Sequence, residues 1–84
     1  MIPTDTKAAT NSDHGMIVAC MAVLRESGMT RQDAVPIYAK LLEHHGLTAE
    51  AVSANLAGAL AHLPTEDIAR AHLLEVCPEL AGEI

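Results

Sequence analysis

The sequence predicts an all-α fold, a compact bundle of about four short helices behind a flexible N-terminal tail. Three observations carry that expectation. The apolar half of the composition is mostly Ala, Leu, Ile, Val and Met, with fifteen Ala, one Tyr (Tyr38) and neither Phe nor Trp. Ala is the strongest helix former, whereas sheets favour aromatic and β-branched side chains. Three connectors recur, Gly28-Met29-Thr30, Gly46-Leu47-Thr48 and Leu63-Pro64-Thr65, with their threonines 18 and 17 residues apart. Between them, apolar residues return at three- and four-residue spacing, as on one face of a helix. At 84 residues there is room for one core and one domain.

Residues 1–12 read as a tail, because Pro3, three Thr, Asn11 and Ser12 carry no apolar period. The domain is then 13–84. A first helix is expected at 13–27, ended by Gly28 in the left-handed conformation, with Met29 packing back on Leu24. Thr30 caps a second helix at 31–45, with Asp33 as the acid of a short capping box. Pro36 removes a hydrogen bond there, so a kink or a new start is expected. Its inward face is Val35, Tyr38, Leu41, Leu42 and His45. Gly46 ends it and Leu47 packs on Leu42. Thr48 caps a third helix at 49–62, with Val52, Leu56, Ala59, Leu60 and Leu63 facing the core. Ala54, Gly58 and Ala61 leave room for another backbone to approach. Thr65 caps a fourth helix at 66–77, burying Ile68, Leu73, Leu74 and Val76. Pro78 ends it.

The charge is uneven. The net charge is −6 with His neutral. Met1 to Leu42 is balanced, whereas Glu43 to Ile84 carries seven acids against one base, Arg70. Such a surface repels nucleic acid and anionic membranes and attracts a basic partner. The longest apolar run, Met16 to Leu24, is nine residues. Spanning a bilayer takes about 20. With a polar opening and no signal pattern, the expectation is a cytoplasmic protein with reduced cysteines, Cys20 and Cys77.

Candidate chemistry is sparse. Five histidines (14, 44, 45, 62 and 72) and two cysteines show no Cys-x₂-Cys or His-x₃-His spacing. His44 and His45 are adjacent, so on a helix they point about 100° apart. His45 is expected to cover the second helix's C-terminus. Met16, Cys20 and Met21 read as core filler rather than a copper(I) patch. Cys20 sits in an apolar run that raises its pKa and keeps it inert. No phosphate loop or nucleophile elbow is present. No catalytic residue, cofactor or metal is therefore assigned. A helix-turn-helix is excluded, because the would-be recognition helix, Ala49 to Leu63, has Glu50 and no Lys or Arg. An acyl carrier would need Asp-Ser-Leu opening its second helix, where this chain has Gly28-Met29-Thr30-Arg31.

What remains is recognition of another protein. The leading expectation is a small acidic interaction module, a regulator or inhibitor, with Glu66, Asp67, Glu75, Glu79 and Glu83 as its partner-binding acids. On one continuous helix, Glu75, Glu79 and Glu83 would form a single negative edge, although Pro78 interrupts it. Such a module suits a decoy for a basic, nucleic-acid-binding protein, of the kind phage and mobile elements use. The alternative is a homodimer or larger assembly through the over-apolar first helix, with Met16, Ile17, Cys20, Met21 and Leu24 at the contact. A second alternative is a small ligand- or metal-binding helical domain.

Overall fold

The computed structural model describes the backbone from Thr4 onward and the side chains from Asn11 onward. Five α-helices and a closing 3₁₀ turn make an all-α bundle, with no strand among the described residues. They are α1 (Thr4–Glu26), α2 (Arg31–His45), α3 (Ala49–Ala54), α4 (Leu56–Ala61) and α5 (Glu66–Val76), followed by a 3₁₀ turn at Pro78–Leu80. None of these helices is long and apolar enough to cross a membrane.

The caps form where the sequence places them. Thr30, Thr48 and Thr65 are extended, and each hydroxyl accepts from the backbone N–H three residues on, Asp33, Ala51 and Ile68 respectively. Each bond satisfies a donor that the first helical turn leaves unpaired. Gly28 (φ 90°) and Gly46 (φ 67°) close α1 and α2 in the left-handed region. Met29 N–H then donates to Leu24 O at 3.2 Å, and Leu47 N–H to Leu42 O at 2.9 Å. This is the helix-ending motif that seats the following apolar residue on the last turn.

Several boundaries differ from expectation. α1 starts at Thr4 rather than near residue 13, so it overlaps the stretch read as a tail. Residues 1–3 lie outside the described residues. α2 runs through Pro36 without a new start. Pro36 is exposed, so the carbonyl its ring leaves without an N–H partner can turn to water, and Ala34, Ile37 and Leu41 anchor the helix on both sides. The single helix expected at 49–62 is two, broken at Asn55 (φ −117°, ψ 35°). The Asn55 side chain explains the break, because its amide donates to Asn11 Oδ1 at 2.6 Å and to His14 Nδ1 at 2.8 Å on α1.

α1 is the central element and packs against α2, α4 and α5. Its Ile17, Ala19, Cys20, Val23 and Leu24 meet Ala34, Ile37 and Leu41 of α2, Val52 of α3, and Ala69, Leu73, Cys77 and Leu80 in one core. The closest approach is of α4 to α1. A β-carbon on Gly15 would overlap the carbonyl of His62, and Ala59 opposite is wholly buried. Of the small residues expected to serve that approach, Ala54 and Ala61 are exposed, whereas Gly58 does meet α1, against the Asn11 side chain rather than backbone, with Asn55 beside it. The large side chains expected inside on these helices are partly outside. Val35, Leu56, Leu60, Leu63 and Ile68 are all exposed.

Candidate functional site

Two surfaces carry chemistry or contact potential. The first is a histidine cluster where α1, α2 and α5 meet. Gly46 stops α2 so that His44 and His45 fall in its last turn. His72 lies midway along α5. Their ring centroids form a triangle with sides of 5.2 Å (His44–His45), 5.3 Å (His44–His72) and 4.9 Å (His45–His72). His45 Nε2 and His72 Nε2 are 2.9 Å apart. Behind them stand two carboxylates. Asp13 Oδ1 on α1 is 3.2 Å from His45 Nδ1, and Glu75 Oε1 is 3.5 Å from His72 Nδ1. The His45 and His72 side chains are only 11% and 13% exposed, whereas Asp13 and Glu75, at 44% and 74%, meet them from the solvent side. Burial, then the neighbouring His45 and His44, pushes the His72 pKa below its ordinary value, against a smaller opposing pull from Glu75.

Sequence spacing missed this cluster. The turn of about 100° between adjacent helix positions does not keep the rings apart: His44 and His45 meet edge to face, and His72 from α5 closes the triangle. His45 stands in the last turn of α2 as expected, and from there it also bridges to Asp13 on α1 and His72 on α5. With the side chains as they stand, no group of three or more His, Cys, Asp or Glu among the described residues could hold a metal ion. The converging pair is His45 and His72.

The second surface is apolar. Two shallow hollows share Val18 on the outward side of α1. One, of about 310 Å³, is lined by Ile17, Met21, Tyr38, Val52 and Leu56 among others. The other, of about 290 Å³, lies between α1 and α4, with Ala22, Leu60, Leu63 and Pro64 in its walls and Glu26 and Glu66 at its edge. Leu56, Leu60 and Leu63 are 48%, 54% and 47% exposed.

The residues singled out from the sequence fall unevenly on these surfaces. Of the apolar set, Ile17, Cys20 and Leu24 are buried in the chain's own core. Met16 and Met21 are half-buried. Of the acidic set, Glu66 pairs with Arg70 one turn on, and Glu79 pairs with Lys40 at 3.1 Å. Glu75 stands against His72 and Glu83 is exposed near the C-terminus. They do not form one helical edge, because α5 ends at Val76 and the chain turns at Pro78. Both cysteines are free and fully buried. Burial and the nearby Cys77 push the Cys20 pKa up to about 12, and its thiol donates to Ala69 O at 3.5 Å, which matches the inert reading.

In comparison with known proteins, no family model matches this chain, and neither a curated protein nor a solved structure does.

Proposed function

We propose that this chain is a small protein–protein interaction module whose contact face is the apolar strip along α1 and α4. One observation carries the reading: a chain with a thin core leaves Leu56, Leu60 and Leu63 about half exposed beside the hollows of α1. Large apolar side chains gathered on one face mark a contact surface more often than solvated scatter does. Glu26 and Glu66 edge the strip, and the net charge is −6. A basic amphipathic segment therefore suits it: apolar side chains in the hollows, Lys or Arg beside the acids. This keeps the reading of a regulator or inhibitor with a basic partner, and moves the contact from the acids of α5 and the C-terminal turns to the groove. A homo-oligomer through α1 has less support. Ile17, Cys20 and Leu24 are buried in the core of a single chain, leaving Met16 and Met21 as its contacts.

The test compares two double variants with the parent protein in capture from a bacterial lysate at low and high salt. Leu60→Ser with Leu63→Ser should abolish capture of any stoichiometric partner while the circular dichroism spectrum stays helical. Glu26→Gln with Glu66→Gln should weaken capture and flatten its salt dependence. A partner retained equally by both variants would sink the proposal. A doubled mass in light scattering, lost in the leucine variant, would turn the face over to a second copy.

A further inference from the structure

We propose that His44, His45 and His72 form a site for a divalent transition-metal ion of the zinc class. The argument starts from the protons. His45 Nε2 and His72 Nε2 face each other at 2.9 Å, so one must donate and the other accept. Asp13 accepts from a proton on His45 Nδ1, which makes the Nε2 of a neutral His45 the acceptor. His72 must then carry its proton on Nε2. Its Nδ1 is left bare towards the Glu75 carboxylate, two acceptors facing each other at 3.5 Å.

A metal ion between the two Nε2 atoms removes the conflict. Both rings are then neutral, both hold their proton on Nδ1, and both donate it to a carboxylate. That is the arrangement in which metal-bound histidines are usually held. The spacing agrees. Tetrahedral ligands at a metal–nitrogen distance of about 2.0–2.1 Å put their nitrogens roughly 3.3 Å apart and their ring centroids roughly 5 Å apart. The three centroid distances run from 4.9 to 5.3 Å, and the Nε2 pair needs to open by only a few tenths of an ångström. His44 is exposed, and no hydrogen bond holds its ring among the described residues. It completes the set by turning one nitrogen inward, and water takes the fourth position. The cluster sits at the C-terminus of α2, where the helix dipole favours a cation.

Untagged protein stripped with a chelator and titrated with zinc chloride at pH 7.5 tests the site. Calorimetry should give one ion per chain, and the melting temperature should climb with zinc concentration. In NMR spectra the imidazole signals of His44, His45 and His72 should move together, with those of His62 unaffected. His44→Ala, at an exposed position, should keep the fold and lower zinc affinity by roughly tenfold or more. Asp13→Asn should lower it by roughly tenfold through the lost carboxylate behind His45. His62→Ala should match the parent. Absence of zinc binding by the parent protein up to millimolar concentration would overturn the proposal, as would equal affinity in the parent and His44→Ala.

Discussion

Replacing Gly15 with Ala puts two principles in direct opposition, and the structure says which wins. Gly15 lies inside α1, where Ala is favoured over Gly by about 1 kcal/mol. On propensity alone the substitution stabilises. Against it stands the α4 backbone. The new β-carbon would overlap the His62 carbonyl oxygen and lie 2.8 Å from its carbon and 3.0 Å from Ala59 O. These are main-chain atoms, so no side-chain rotation relieves them. α4 would have to move off α1, loosening the wholly buried Ala59. Overpacking of this kind costs about 1–3 kcal/mol, and a rigid neighbour puts it at the upper end. After the propensity gain, a net loss of about 2 kcal/mol is expected, or roughly 10 °C in melting temperature for a domain this size. Thermal and urea denaturation followed by far-ultraviolet circular dichroism measure it. Ser53→Ala, exposed in α3, serves as a propensity control. A melting temperature equal to or above the parent's would refute the close approach of α4 to α1.

Thr65→Ala removes the acceptor at 3.3 Å from Ile68 N–H and should cost about 1 kcal/mol, read as a shifted urea midpoint with an unchanged slope. Neither thiol should react with a disulfide reagent in native protein at pH 8 except at the rate of unfolding, since both are fully buried and both pKa values are raised; a fast phase of even one equivalent would contradict their placement. For metal-free protein the folded-state pKa of His72 lies below its ordinary 6.5, so the unfolded chain binds that proton more readily. The contribution of His72 is intact above pH 6.5 and is lost as pH falls from there towards the folded value. His72→Gln should therefore flatten the decline in melting temperature below pH 6.5, and an unchanged pH profile would show that the ring is not shielded in the fold.

The local signals in the sequence proved more informative than the periodic ones. The three Thr caps and the two closing glycines are one-residue effects, decided by a hydroxyl or a missing β-carbon. Nothing distant competes with them at those positions, so they form as the residues dictate. Asn55 could not be read that way. A lone Asn in a helical stretch is tolerated until a partner offers it something better, and that partner is Asn11 and His14 across the chain. The same holds for the histidines. Spacing along one helix sets His44 and His45 about 100° apart at the backbone, but it says nothing about their rings meeting at 5.2 Å or about a third ring arriving from α5. Only the packing of α1, α2 and α5 brings Asp13, His45 and His72 into line.

The exposed leucines follow from the same close approach that makes Gly15 sensitive. α4 is six residues long, so it has room for about one inward-facing position per turn. Contact between main chains at Gly15 requires that position to be small, and Ala59 occupies it with no exposed surface. Leu56 and Leu60 then fall together on one side of the contact, and Leu63 lies just beyond the helix. A stripe of leucines at helical spacing normally faces inward, because burying each is worth about 2 kcal/mol. Here the short helix cannot both press its backbone onto α1 and turn that stripe inward. The apolar face is thus a geometric consequence of a Gly–Ala contact. Enlarging that contact, as Gly15→Ala would, should disturb the proposed docking strip together with stability, whereas Leu60→Ser with Leu63→Ser should remove the strip alone.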